Sequence, residues 1–387
     1  MLRLSAIMAL KVRGRHYADN IGRCDIMFES FRHFGLKSLI SEWLIVIPGA
    51  EEAYIRRYAR AWSDFPIRFV VEDEYLAIFK RFSKLHEVRG WHRQQIIKLF
   101  CAELVQDDFF LVLDPDVFAV KPVRYEDLVL NGRAIVEEDR REWHADWWTA
   151  SAELLGVDPH LERPGMGVTP AILSRDACKG LTAFIEQRHG RSWHEVLLSS
   201  YMTQWTEYTL YHLFLEHSGK FDHYHVFPSA AGISQRLHSP APWGVWKPGD
   251  YERLDVDALF SPRNPGLFSV VQSNVGITPQ RIAVDLGRHV PLRIQSYERE
   301  TPSVSERLKE LYGATLRRAL MLARTTVPKS LKALVSSPSR KAWLEKSSPR
   351  LTREPGEGRS APVGSLPRRG TPYPNVRRPR DRTPVAL

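Results

Sequence analysis

From Leu4 to Phe118, short unbroken apolar runs alternate with stretches in which apolar residues return every three or four positions. Leu4–Val12, Trp43–Ile47 (closed by Pro48-Gly49), Ile67–Val71 and the apolar half of Phe109–Phe118 are the runs, and they read as buried strands. Between them, Cys24–Phe34 sets Ile26, Met27, Phe31 and Phe34 on one helical face, and Glu51–Trp62 does the same with Tyr54, Ile55, Tyr58 and Trp62. A longer helix from about His92 to Val105 carries Ile96, Ile97, Leu99, Phe100 and Leu104. Strands alternating with helices predict βαβ units, hence an α/β fold with a mostly parallel central sheet flanked by helices. The Phe109 run is the fourth strand in that series.

Beyond it the elements shorten. Ala134–Val136 reads as a strand, Gly165–Thr169 with Pro170–Leu173 as another short strand and turn, and Phe268–Gln272 as a late strand. Helices are expected around Leu181–Arg188 and Thr203–Glu216. A C-terminal helix is expected within 301–324, because Ser303 and Glu306 have capping-box spacing just after Pro302. From Thr325 the chain turns to Pro, Ser, Gly and Arg, the composition of a disordered tail.

Charge changes this picture only at the end of the chain. Residues 325–387 hold 14 of the 55 Lys+Arg and 4 of the 45 Asp+Glu, which leaves 41 of each sign in the remainder. The net charge of +10 is therefore the tail's, and a nucleic-acid-binding body is not indicated. Cys24, Cys101 and Cys178 are few, odd in number and far apart, which argues against a disulfide framework and for a reducing, cytoplasmic setting. MLRLSAIMALKVRGR has the outline of a signal peptide, but Lys11-Val12-Arg13 stands where a small-residue cleavage site belongs, so the segment reads as a first core strand. No stretch approaches the ~20 apolar residues that span a bilayer.

The chemistry concentrates in FFLVLDPDVF, Phe109–Phe118. In extended backbone, residues i and i+2 point to one side, so Asp114 and Asp116 are expected to present both carboxylates to one point. Pro115 has no N–H and ends the ladder, which puts the pair at the strand's carboxyl end, where open α/β sheets bind ligands. Two carboxylates there suit a hard divalent cation carrying substrate phosphates. A strand-ending turn explains the same residues, since Asp and Pro are ordinary turn formers.

Just before this strand stands Gly90-Trp91-His92-Arg93-Gln94-Gln95-Ile96-Ile97-Lys98-Leu99. A G-W-x-x-Q-Q-x-x-K-L helix followed by L-D-x-D resembles the GT-A glycosyltransferases, and among them bacterial glycosyltransferase-like families of unassigned specificity, over roughly residues 1–280. The resemblance implies a catalytic domain over residues 1–300, with a nucleotide-binding half at about 1–122 and a donor-sugar and acceptor half at about 123–300. It implies sugar transfer from a nucleotide-diphosphate donor to a glycan or lipid-linked acceptor, with Mn²⁺ or Mg²⁺ held by Asp114 and Asp116 on the diphosphate. Such a cation stabilises the leaving group's charge as a Lewis acid.

The resemblance also implies roles for residues elsewhere. Gln94, Gln95 and Lys98 are expected at the donor. Gly165 and Gly167 are expected in a strand that backs the donor sugar, where a missing side chain permits close approach. Glu207 is expected near the anomeric carbon, as general base if the reaction inverts and as an orienting group if it retains. Plain alternatives stand beside these: a solvated helix position for Lys98, a Gly-rich turn for 165–169, and a first-turn residue favoured by the helix dipole for Glu207. Trp143, Trp147 and Trp148 are either a sugar-stacking platform or one buried helix face. The histidine that often supplies a third metal ligand on a late strand is missing. Gln272 occupies its place and His238 lies upstream, which leaves the metal shell open.

Two rival readings remain at this point. A phosphatase of the haloacid dehalogenase type also ends an apolar strand in D-x-D, but normally on its first strand and followed closely by Thr. A non-catalytic nucleotide- or carbohydrate-binding protein is the other. The basic tail would suit peripheral contact with an anionic membrane at the inner face, or have no role.

Overall fold

In the computed structural model of this chain, residues 3–14, 17–79, 90–200, 203–240 and 242–299 are described. The four apolar runs form β1 (Leu4–Ala9), β2 (Ile40–Ile47), β3 (Ile67–Val71) and β4 (Phe109–Leu113). Shorter strands follow: β5 (Val117–Ala119), β6 (Val129–Leu130), β7 (Arg133–Ile135), β8 (Glu138–Arg140), β9 (Pro164–Met166), β10 (Ala171–Ser174), β11 (His225–Val226), β12 (Arg236–His238) and β13 (Gly266–Val270). The central sheet has the order β10-β4-β1-β2-β3, parallel except for β10, which runs antiparallel to β4.

Both faces of this sheet are covered, which is why its strands are apolar without interruption. Leu4, Ala6 and Met8 of β1 enter a core shared with Phe28 and Phe31 of α1 (Asn20–His33) and with Trp43. Ile7 and Ala9 enter the opposite core, with Phe110, with Ile96 of α2 (Gly90–Phe100) and with Tyr211 of α3 (Glu207–His217). Burying one such Ile, Leu or Phe stabilises the fold by about 1.5–3 kcal/mol. These two cores clamp β1 and β4 from both sides and fix where β4 ends.

Several sequence expectations shift. Strand β1 stops at Ala9 rather than Val12, and α2 stops at Phe100, continuing only as a tight turn over Cys101–Glu103. Pro170–Leu173 is not a turn. Ala171–Ser174 is the sheet's antiparallel edge strand, with Ala171 opposite Val112 and Ser174 opposite Phe109. Pro170 precedes the strand, so its missing N–H costs no ladder bond. Helix α3 begins at Glu207, three residues after the expected region opens into extended chain, because Thr206 caps it: the Thr209 N–H donates to Thr206 Oγ1 at 3.0 Å.

The described residues all fall within one unit, Met1–Arg317. The helix expected within 301–324 and the basic tail 325–387 lie outside the described residues. No helix among the described residues is long and apolar enough to cross a membrane.

Candidate active site

Asp114 and Asp116 sit where the chain leaves the central sheet. Strand β4 ends at Leu113, and Asp114–Val117 is a turn in which the Val117 N–H donates to the Asp114 carbonyl at 3.2 Å. The chain then re-enters regular structure as β5, antiparallel to β13, with Val117 opposite Val270. The pair is therefore not in extended backbone, and the i, i+2 argument does not apply. The turn instead sends the two carboxylates to different partners while both still line one cleft. Pro115 is the physical reason, since it can follow a strand but not extend one.

That cleft has a volume of about 1580 Å³ and opens at the carboxyl end of β4. Asp116 Oδ2 accepts from the Ser273 N–H at 2.9 Å, and the Asp116 carbonyl accepts from the Val271 N–H at 3.1 Å, so the loop after β13 grips it. Burial, and after it the neighbouring Asp114 charge, raise the Asp116 carboxyl to about 6, against the pull of the Arg23 guanidinium. Arg23 is buried in α1 and donates to the Val271 and Ile277 carbonyls at 2.7 Å each.

Lys98 lies under the first aspartate. It is 3% exposed, which removes the solvated alternative. Its Nζ stands 3.2 Å from Asp114 Oδ1, 3.2 Å from Glu207 Oε1, and donates to Thr169 Oγ1 at 3.0 Å. Burial works against the ammonium, but Asp114, Tyr208 and Glu207 outweigh it and hold Lys98 well above an ordinary lysine. Glu207 is 0% exposed and raised by burial; neither of its oxygens finds a hydrogen-bonding partner among the described residues, and Lys98 is its charge partner. The Glu207 N–H donates to Gln95 Oε1 at 3.3 Å, and Thr169 Oγ1 shares a hydrogen bond with Tyr208 at 2.7 Å. Two turns of α2 (Gln94, Gln95, Lys98), the loop before β10 (Thr169) and the N-terminus of α3 (Glu207, Tyr208) thus meet under Asp114.

Not every expected residue arrives. Gln94, Gln95, Lys98, Asp114, Asp116, Glu207 and Gln272 all line the cleft, whereas Gly165 and Gly167 do not; Val168 and Thr169 represent that segment there. Gly165 is small for a packing reason. A Cβ on it would stand 2.4 Å from Trp148 Cζ2 and 2.9 Å from Arg141 Cγ. Gly165→Ala is expected to cost about 1–3 kcal/mol by overpacking, read as a lower urea midpoint; an unchanged midpoint would show that Trp148 yields freely. Sequence reasoning missed Arg23, Glu137 and Arg236. Glu137 is buried, accepts from Arg236 Nε at 2.6 Å and from the Leu237 N–H at 2.9 Å, and ties β12 to the cleft wall. Single charged residues scattered 100 positions apart leave no pattern that would have found this pairing.

Among the described residues, no three His, Cys, Asp and Glu side chains are grouped to hold a metal ion. Two carboxylates with the Gln272 amide nearby still form a hard-oxygen donor set. Mg²⁺-type ions are commonly held by one or two carboxylates, with water and phosphate oxygens completing the shell. Burial and, after it, repulsion from Asp114 raise Asp116, and a bound dication would relieve that repulsion. The residues present therefore fit such an ion, with one Asp116 oxygen taken by the Ser273 N–H and Asp114 shared with Lys98.

A family model described as "Family of unknown function (DUF6492)" matches residues 1–294. No curated protein matches the chain by sequence. Among solved structures, mouse xyloside xylosyltransferase 1 in its apo form is similar at 11% identity and a TM-score of 0.43, covering 71% of this chain and 100% of that one. The galactosyltransferase LgtC, in complex with donor and acceptor sugar analogs, is similar at 12% identity and 0.40, covering 76% and 98%. Core-mannan synthase A from Aspergillus fumigatus, in a Mn/GDP form, is similar at 11% and 0.34, covering 55% and 69%. These likenesses are distant, and the chemistry of the cleft has to be read from its own residues.

Proposed function

This chain belongs to the DUF6492 family, and from that premise we propose that it transfers a sugar from a nucleoside-diphosphate donor to an acceptor in the cleft at the end of β4. The observation that carries this reading is the juxtaposition of Asp114 and Asp116, on a turn at the carboxyl end of a buried parallel strand, with the buried Lys98 beneath them. A phosphomonoesterase needs neither the second substrate's space nor a D-x-D on its fourth strand. At about 1580 Å³ the cleft exceeds the ~300–1,000 Å³ of a typical single-ligand pocket, which suits a donor and an acceptor together.

In this reading Asp116 and Asp114 hold a divalent cation, with Gln272 beside them. When bound, Mn²⁺ or Mg²⁺ supplies charge stabilisation to the departing diphosphate. The chain's own residues do the rest. Lys98 holds Asp114 in place and adds a fixed positive charge under the phosphates. Gln94, half-buried on the cleft-facing side of α2, donates to donor hydroxyls. Gln95 is committed to the backbone of Glu207 and acts as a positioning residue. Glu207 is paired with Lys98 and closed to solvent, so we assign it to orienting that lysine rather than to taking the acceptor's proton.

The test is a thermal-shift and hydrolysis screen of sugar nucleotides with and without Mn²⁺, beside phosphomonoester controls. At least one nucleoside diphosphate sugar is expected to raise the melting temperature only with the metal, and to be hydrolysed slowly. If no donor is bound or turned over while phosphomonoesters are cleaved, the transferase reading fails.

A further inference from the structure

We propose that Trp143, Trp147 and Trp91 form a saccharide-binding shelf on one wall of the cleft, and that it receives the acceptor as a neutral glycan chain. The inference deepens the transferase reading and rests on it for the word acceptor; saccharide binding itself does not.

The tryptophan group splits in the fold. Trp148 packs into the core, where the Arg141 guanidinium lies 4.4 Å over its ring. Trp143 is 67% exposed, one of three large apolar side chains left exposed among the described residues, and it lines the cleft. Trp147 is half-buried, with the His144 ring stacked on it at 4.1 Å and 7°. Trp91 adds a third ring 6.1 Å from Trp147. The set is not core: the same helix turn supplies Trp148 to the interior, while Trp143 stays exposed and lines the cleft together with Trp147 and Trp91.

Its position says which partner. Trp91 opens α2, and Gln95 and Lys98 follow on later turns of the same helix, so the shelf stands about 10 Å along the helix from the lysine under Asp114. The Trp147 carbonyl accepts from Thr209 Oγ1 at 3.5 Å, which ties the shelf to the first turn of α3 beside Glu207. A ligand on these rings therefore lies next to the carboxylate turn and in the same cleft. The rim is polar: Asp139, Arg140 and Glu142 line the cleft beside the rings. Indole faces edged by donors and acceptors, with the Trp91 and Trp147 rings inclined at 48° to one another, match the two-sided surface of a pyranose, whose C–H face stacks on indole while its hydroxyls bond at the edge. Along that rim Glu138, Asp139 and Glu142 outnumber Arg140, so it disfavours an anionic chain, and a glycan without acidic groups is the occupant it fits.

The test uses the full chain, free of metal and nucleotide, with maltotriose, cellotriose, chitotriose and mannotriose as probes in saturation-transfer NMR and calorimetry. At least one trisaccharide is expected to bind saturably, with its ring C–H protons receiving the transfer. Trp143→Ala and Trp147→Ala are each expected to weaken that binding about tenfold, while Trp143→Phe and Trp147→Phe keep it within about threefold. Because Trp143 is exposed, its variant does not test folding, and a thermal melt checks Trp147. If no trisaccharide binds the native chain, or the alanine variants bind as tightly as native, the shelf is wrong. Mn²⁺-dependent nucleoside-diphosphate binding, compared with that of Asp116→Asn, is measured separately. If the native chain shows no such binding, or Asp116→Asn binds as tightly, the transferase reading is overturned and the shelf stands; if that binding holds and the trisaccharide result fails, the shelf alone falls.

Discussion

Asp116→Asn is expected to reduce donor turnover about 1,000-fold and, in metal-free buffer at pH 7, to raise the melting temperature. Activity falls because the substitution removes one of the two negative charges that would hold the cation, and losing several kcal/mol of charge stabilisation is worth about a factor of ten per 1.4 kcal/mol. Stability rises for an independent reason. Burial and the adjacent Asp114 lift the Asp116 carboxyl from its ordinary 3.8 to about 6. A group whose folded-state pKa is raised contributes stability that is complete below the unfolded value near 4 and is lost as pH climbs through about 6. At pH 7 the ionised carboxylate is therefore a standing cost, on the order of 3 kcal/mol at full strength and trimmed by water at the open side of the cleft. Asparagine removes the charge and still offers an oxygen to the Ser273 N–H. The variant should melt a few °C higher at pH 7 and match the native chain at pH 4. Added Mn²⁺ should stabilise the native chain and not the variant. A lower melting temperature with turnover intact would falsify the assignment of this residue to function.

The second large effect concerns the cation beneath the turn. Lys98→Met keeps the side chain's volume and removes the charge that faces Asp114 and Glu207. Asp114 can turn to water, but Glu207 cannot, because it is fully buried with no other partner for its oxygens among the described residues. Breaking a buried pair by removing one member typically costs about 3–5 kcal/mol, and a loss of that size is expected in urea unfolding. With the lysine gone, the Glu207 carboxyl is pushed further up by the same burial that already raises it. The variant's stability should then recover as pH falls, because the buried carboxyl takes its proton as pH drops through its raised folded-state value, and recovery is complete below the unfolded value near 4.5. Lys98→Met with Glu207→Gln should regain most of the lost stability without regaining transfer. If the single and double variants are equally destabilised, the two residues are not coupled and the geometry under Asp114 has another purpose.

The contrast between these two variants bears on how much of the site was legible beforehand. The aspartate pair was visible because a continuous apolar run, a proline and two acids stand together within ten residues. The helix with Gln94, Gln95 and Lys98 was visible because it directly precedes that run. What neither local pattern contains is the Lys98–Glu207 pairing, which spans more than 100 residues and depends on α2 and α3 packing on one face of the sheet. For the same reason Gly165 and Gly167 drew attention as openings toward a ligand, while Gly165 is a fit for Trp148 and Arg141. The tryptophans posed a choice between core and platform that spacing does not resolve. Helix α4 (Ala145–Leu155) and the turn before it divide them, with Trp148 inward and Trp143 outward.

By itself, then, the sequence determined the alternation of buried strands and helices, the parallel core of the sheet, the pair of carboxylates at the end of its fourth strand and the cationic helix beside it. Each of these follows from side chains within a few positions of one another, through periodicity, β-branching and the fixed φ of proline. Only the tertiary structure decided that the aspartates face different partners, that Lys98 is buried between two acids, and that Ala171–Ser174 closes the sheet's edge. It alone brought Glu137 and Arg236 together in the cleft wall and set Arg23 behind Asp116. Those are contacts between segments distant in the chain, set by how two apolar faces of one sheet are covered.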